Sequence, residues 1–470
     1  MMRFNVKRAM VIKMLMILKW IFVLTAIFLA SKLNQPLMQK YRSAVSAALI
    51  IGLTVLIIKS CRSIGYGGDR FLKSFHQPLY FGALLTAVGL VFYAAVAFQY
   101  QKYVVLNTPQ SLLETLGSHF IIGYQDPQKI RHLIEKGAIG GVYITSRNIE
   151  GKTVRQVKEE LNFFQMLAEK NGLLPLFVAA DQEGGRVSRL SHLLKRLPPL
   201  ASLAEEDVPS PVMVRRVEEY AALQARQLKS LGVNLNLSPV VDLKVDHLKQ
   251  ASNHLTRIDQ RAISSDIDKI ITIAQVYCDT LLDHGIRPTL KHFPGLGKVT
   301  QETHLTAGTL DYDRKYLEQN DWRPFREVSL QTSSFIMLGH VRIPSIDPRF
   351  LASLSSAIIT DIIRKEWKHD GVLITDDFNM GAIAGQSGGI GAAAVRAVNA
   401  GVDLILLSYD GSQYYPAMYA MIKAYRKGRL NLNMLNKSRQ RLLTHRPKRV
   451  GPPVDADLTI NIYYHSNALK

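Results

Sequence analysis

The chain has 470 residues, an ordinary apolar fraction of 47%, a net charge of +20 and two cysteines. That length supports one large domain with an appendage, and Cys61 and Cys278 cannot supply a disulfide framework or a cysteine zinc site. The charge is concentrated at one end: residues 1–103 carry thirteen Lys and Arg against one acid, Asp69, which is about +12 of the total. The rest is mildly basic, without an arginine–aromatic stripe, so nucleic acid is not an expected partner.

Three apolar runs, roughly 9–30, 43–59 and 79–98, fill the first 103 residues. A bilayer core of about 30 Å takes about twenty helical residues. The third run meets this without a charge, the second is shorter, and the first is interrupted by Lys13 and Lys19. They are read as about three transmembrane helices in a multi-pass membrane region. With three spans, Arg3, Lys7, Arg8, Lys59, Arg62, Arg70 and Lys73 flank one side and Lys32, Lys40, Arg42 and Lys102 the other. The positive-inside rule puts the first set in the cytoplasm and the following domain outside it; two spans reverse the sidedness.

From residue 107 short β-rich runs alternate with helical ones. The strands expected are 120–123, 141–145, 176–180, 233–237, 288–290, 334–338, 372–375 and 403–407. Helices are expected at 154–170, 213–231, 266–283, 355–367 and 392–400, several with a Gly stop, as at Leu231-Gly232, His284-Gly285 and Ala400-Gly401. Eight strands separated by helices imply parallel pairing and an α/β fold, a (β/α)8 TIM-type barrel over 107–445, with 446–470 as a loosely held tail. A doubly wound open sheet is the alternative, weakened because no G-x-G-x-x-G follows the first strand.

In a barrel, chemistry gathers where the strands end. The third strand leads into Asp181-Gln182-Glu183-Gly184-Gly185-Arg186, with Arg189 close behind. The fourth is followed by Asp242 and later Arg261, the fifth by Lys291 and His292 and then Glu302 and His304, the sixth by His340, and the seventh by Asp376-Asp377. Asp376, closing an apolar strand, suits attack on, or stabilisation of, a cationic carbon. Asp377 should point away, because side chains alternate along a strand, and make supporting hydrogen bonds. His304, in a glycine-containing loop with few apolar anchors, suits proton transfer near neutral pH. Glu302 suits holding one of its ring nitrogens. Lys291, Arg189 and Arg261 with Asp181 and His292 form a set fit to bind hydroxyl groups. His292, His304, His340 and Asp181 could instead hold a metal, but no helical His spacing supports this, and neither metal nor cofactor is expected.

The motifs DQEGGRVSR, NLNLSPVVD, KHFPGLG followed by ETH, FIMLGHVRIPSID and GVLITDDFNMGAI resemble glycoside hydrolase family 3, in its single-domain β-N-acetylglucosaminidase (β-hexosaminidase) branch. The resemblance covers 109–442, and KHFPG with a downstream loop His is its most specific mark. It implies a retaining glycosidase acting on terminal β-linked N-acetylglucosamine, with cell-wall muropeptide fragments as the carbohydrate partner. It also implies Asp376 as nucleophile, His304 as acid/base in place of a second carboxylate, and sugar-binding positions at Asp181, Arg189, Arg261, Lys291 and His292. Two positions depart from the family pattern: Glu302-Thr303-His304 stands for Asp-Ser-His, and Leu296 stands where His is frequent. Phosphorolysis of the same glycosides, or glycan binding by a catalytically weakened membrane-tethered protein, are the alternatives.

Overall fold

The computed structural model describes residues 2–33, 38–63, 70–205, 210–245 and 255–447. The chain divides into two units, Met1–Leu106 and Asn107–Lys470.

The first unit contains three helices: α1 (Met2–Lys32), α2 (Arg42–Ser63) and α3 (Arg70–Leu106). One face of each is small or apolar, and these faces meet: Val23, Ala26 and Ala30 of α1 pack with Leu49 and Leu53 of α2 and Leu84, Ala87 and Val91 of α3. The outward faces are also apolar, with Ile51, Phe92 and Tyr93 each at least 65% exposed. A water-soluble core helix would bury such residues. Among the described residues two helical stretches are long and apolar enough to cross a membrane, Arg42–Lys59 and Pro78–Leu106, with mean hydropathy 1.8 and 2.1. The first expected run is helical and shares the same core.

The second unit is a closed barrel of eight parallel strands. They are β1 (Phe120–Gly123), β2 (Gly141–Ile144), β3 (Phe177–Ala180), β4 (Leu235–Asn236), β5 (Arg287–Phe293), β6 (Phe335–Leu338), β7 (Leu373–Asp377) and β8 (Leu404–Leu407). β1 closes the ring on β8, with Ile121 opposite Leu406. Side chains alternate across a strand, so one set fills the barrel: Ile121, Tyr143, Phe177, Ala179, Leu235, Phe335, Met337, Ile374, Leu404 and Leu406 are all buried there. Each large apolar side chain so enclosed contributes about 1.5–3 kcal/mol. All eight expected strands are present and pair in parallel, and the closure of β1 on β8 excludes the open-sheet alternative.

Helices cover the outside, and their ends follow local chemistry. α4 (Val154–Lys170) begins with a reciprocal Thr153–Gln156 capping box. α5 (Ser210–Leu231) stops at Gly232, and α6 (Gly389–Ala400) at Gly401; both glycines adopt the left-handed backbone a side chain would disfavour, at φ 92° and 102°. The helix expected at 355–367 exists as Ala357–Glu366, wound with π-type bonding. Helices that escaped the periodicity reading include Pro127–Glu135, Arg323–Gln331, Tyr414–Arg426 and Leu432–His445. Arg446, assigned from sequence to a loose tail, instead closes the barrel floor. Its guanidinium donates to the carbonyls of Gly140 and Pro175 and lies 4.6 Å from the centre of the Phe177 ring. The remainder of the expected tail, 448–470, lies outside the described residues.

Candidate active site

Two strands gain one extra residue at their C-terminal ends. In β5 the register against β6 slips between Leu290 and Phe293, and in β7 the register against β8 slips between Ile374 and Asp377. Such bulges re-aim side chains. Here they fall on Lys291-His292 and on Thr375-Asp376. The strand expected to end at Leu290 therefore runs on through both residues, because the bulge lets pairing resume at Phe293 opposite Leu338. The Lys291–His292 and Phe293–Pro294 peptides are cis.

Lys291 is buried, and its ammonium lies 2.7 Å from Asp181 Oδ1 and 2.6 Å from Glu183 Oε1. Arg261 grips the same Glu183 with two parallel bonds, Nε to Oε2 at 2.9 Å and Nη2 to Oε1 at 2.6 Å. Burial alone would raise the Asp181 carboxyl. The Lys291 ammonium, aided by Arg189 and by the Tyr143 hydroxyl at 2.8 Å, outweighs burial and brings it down to about 2. Glu183 is likewise held below its ordinary value against burial, by Arg261 and Lys291. Arg189 is exposed and contributes its backbone N–H to the Asp181 carbonyl; its guanidinium forms no hydrogen bond among the described residues.

Removing Lys291 would leave two acids facing each other with little water. Lys291→Ala is expected to cost about 3–5 kcal/mol, read from denaturant unfolding of the purified protein. The pH dependence follows from Asp181. Its folded-state value is depressed, so its contribution to stability is present above the ordinary carboxylate range and is lost as pH falls through about 2. Without the ammonium, acid unfolding should begin at higher pH than in the parent protein.

His292 is oriented from behind. Its Nδ1 lies 2.8 Å from Asp242 Oδ2, and Asp242 also accepts the N–H groups of His292 and Leu296. An ionised Asp242 only accepts, so Nδ1 carries the proton and Nε2 is left as the acceptor, 3.4 Å from Arg261 Nη2. Leu296, where the resemblance favours His, is buried and apolar, so its side chain joins the core while its N–H serves Asp242.

Asp376 is the penultimate residue of β7, with Oδ1 accepting the N–H of Asp377 at 2.7 Å. Burial would raise its carboxyl, but the neighbouring imidazoles of His292, His340 and His304 bring it below the ordinary value. Asp377 turns aside, as alternation requires, and accepts from the Ser408 hydroxyl and N–H and from the side chain and N–H of Asn379. His340 is buried; its Nε2–H donates to the Asp377 carbonyl at 3.2 Å and its Nδ1 accepts from the Ser353 hydroxyl at 2.8 Å. Burial lowers its pKa, and it buttresses the end of β7.

The loop after β5 brings His304 to this strand end. It has more anchors than its composition suggests: Leu296 and Val299 are buried, Lys298 pairs with Asp321 at 2.6 Å, and Gly308 pairs alongside Val341. The His304 carbonyl accepts the N–H of Gly381 at 2.7 Å, tying the loop to the segment after Asp376. A Cβ on Gly381 would lie 2.2 Å from the Leu305 carbonyl oxygen, so the approach needs glycine there. The His304 side chain is 47% exposed, and its Nδ1 lies 2.8 Å from Glu302 Oε1. Burial would raise the Glu302 carboxyl. The hydrogen bonds from Thr256, His304 and Leu255 reverse this and bring it to about 2. Glu302 therefore accepts, Nδ1 donates, and Nε2 faces outward.

Sequence reasoning brought the eight chosen residues to one barrel rim, where seven have the contacts described and Arg189 acts through its charge. It left Glu183 and Asp242 without roles, although both sit in the quoted strand-end motifs. Thr256 it missed altogether, because an isolated Thr in a long loop carries no pattern. Among the described residues no group of three or more His, Cys, Asp or Glu has metal-binding geometry.

Residues 106–445 match the Glycosyl hydrolase family 3 N terminal domain. A beta-hexosaminidase of Xylella fastidiosa (strain M12) is 31% identical over 277 residues, 59% of this chain and 78% of its own. Among solved structures, a glycoside hydrolase family 3 beta-N-acetylglucosaminidase from Paenibacillus sp. str. FPU-7 is 28% identical with a TM-score of 0.65, over 72% of this chain and 64% of its own. LpqI of Mycobacterium tuberculosis is 27% identical with a TM-score of 0.63, over 72% of this chain and 95% of its own. The parallel barrel, the rim of paired acids and bases, and the match over nearly all of the second unit lead to one statement: this chain belongs to glycosyl hydrolase family 3.

Proposed function

We propose that the protein is a retaining glycosidase that removes terminal β-linked N-acetylglucosamine. The observation that carries this reading is the pairing at the rim of one ionised carboxylate, Asp376, with one outward-facing imidazole, His304, backed by the Glu302 carboxylate. Asp376 attacks the anomeric carbon as the glycosidic bond breaks. In that step the His304 ring carries both protons, Nδ1–H bonded to Glu302 and Nε2–H given to the departing oxygen. The neutral ring then takes a proton through Nε2 from water, which attacks the anomeric carbon and releases Asp376, so configuration is retained. Lys291, Arg261, Arg189, Asp181 and His292 offer charged and neutral partners for the sugar hydroxyls. The names of the relatives support the acyl-amino sugar as substrate.

Incubation with an aryl β-N-acetylglucosaminide, following the released sugar by NMR, tests this reading. Free N-acetylglucosamine appearing first as the β-anomer supports it; the α-anomer first, or no turnover, overturns it. Repeating the assay with inorganic phosphate separates hydrolysis from phosphorolysis, which would yield a sugar 1-phosphate.

We also infer that α2 and α3 anchor the protein in a membrane, supported by their length, hydropathy and exposed apolar faces. With α1 as a third span, the flanking charges put the barrel outside the cytoplasm, where cell-wall fragments bearing N-acetylglucosamine would meet it. Intact cells should then cleave an impermeant aryl substrate about as fast as lysed cells. Activity seen only after lysis would place the barrel inside.

A further inference from the structure

Thr256 belongs to neither the sugar-gripping group nor the proton-carrying pair, yet it touches both. Its side chain is buried, with the residue only 4% exposed. The hydroxyl donates to Glu302 Oε1 at 2.5 Å, and the backbone N–H donates to Oε2 at 3.1 Å beside the N–H of Leu255 at 2.9 Å. The Thr256 carbonyl accepts Arg261 Nη1 at 2.9 Å, from the same guanidinium that grips Glu183. The hydroxyl also lies 3.4 Å from His304 Nδ1.

The chemistry of Glu302 explains why this contact matters. Glutamate has one more rotatable bond than aspartate, so a glutamate in this place needs extra partners to present one oxygen to the imidazole. A carboxylate has about four lone-pair sites. Here the Leu255–Thr256 segment fills both sites on Oε2 and shares Oε1 with the N–H and Nδ1–H of His304. Among the described residues the Thr256 hydroxyl is the one side-chain donor from outside the loop that reaches Oε1. Without it Oε1 would be held only by the N–H and Nδ1–H of His304 itself, so the acceptor for Nδ1 would be fixed less tightly.

We propose that Thr256 is a positioning residue for the glycosidase reaction: it fixes the Glu302 carboxylate, and through it the His304 ring, and its carbonyl links that pair to Arg261. This rests on the reading of His304 as acid/base.

The test compares Thr256→Val, Thr256→Ser and His304→Ala in the full-length detergent-solubilised protein. Each is assayed for kcat/KM on a phenyl and a 2,4-dinitrophenyl β-N-acetylglucosaminide. The phenolate is the poorer leaving group and needs the proton more. Thr256→Val should lose about tenfold on the phenyl substrate, the size of one hydrogen bond to a charged group, and much less on the dinitrophenyl one. Thr256→Ser, which restores the hydroxyl, should recover most of the loss. Equal losses on both substrates, or a serine variant no better than valine, overturn the proposal. If His304→Ala discriminates between leaving groups and Thr256→Val does not, the inference about Thr256 fails alone. If His304→Ala does not discriminate, the acid/base reading itself fails. Should the valine variant not fold, as judged by its thermal melt, Thr256→Ala replaces it under the same criteria.

Discussion

Asp376→Ala is expected to abolish measurable turnover of an aryl β-N-acetylglucosaminide, with kcat falling at least about a thousandfold, the scale on which loss of a covalent nucleophile is felt. The side chain lies in the bulge of β7, and its carboxyl is held below the ordinary value despite burial. None of its neighbours can replace it. Asp377 is turned away and saturated by Ser408 and Asn379, and burial holds its carboxyl above the ordinary value although those hydrogen bonds oppose it. The floor under the site does not depend on Asp376, whose own side-chain bond is to the next N–H, so the variant should melt near the parent temperature. A folded Asp376→Ala protein with near-parental rates would remove the nucleophile assignment.

His304→Ala is expected to divide substrates by leaving group. General acid catalysis contributes about a hundred- to ten-thousandfold where the departing oxygen must be protonated, and little where it leaves readily as an anion. The comparison belongs to kcat/KM, which reports the bond-breaking step; kcat on good leaving groups also carries the later step, where His304 acts as base. Glu302→Gln should give a weaker form of the same pattern. Its amide keeps an acceptor for Nδ1–H but no longer offers a negative charge to the imidazolium formed in the cycle. Losses of equal size on good and poor leaving groups would deny His304 the acid role.

The sites of these changes differ in how far they could be read from the chain. Asp376 follows from an apolar run that ends in an acid, since a barrel strand must present its end to the rim. Lys291 and His292 were legible for the same reason, although the strand was expected to stop before them. A bulge is a pairing event between β5 and β6, and no residue of β5 alone records it. The His304 loop was expected to be loosely anchored. Leu296 and Val299 look like isolated apolar residues in a polar stretch, and only the neighbouring elements show that both are buried.

By itself, then, the sequence determined the alternation that builds eight parallel strands, the glycines that end α5 and α6, the apolar helices of the first unit, and the strand ends at which the chemistry gathers. These are local properties, governed by side-chain period, backbone preference and hydrophobicity. Tertiary structure alone decided the partners. Lys291 meets Asp181 and Glu183 from 110 and 108 residues away, Asp242 sets the tautomer of His292, and Thr256 meets Glu302 across two loops. Such pairings depend on where closing the barrel brings distant strand ends together, and a carboxylate carries no mark in its own surroundings of the cation it will face.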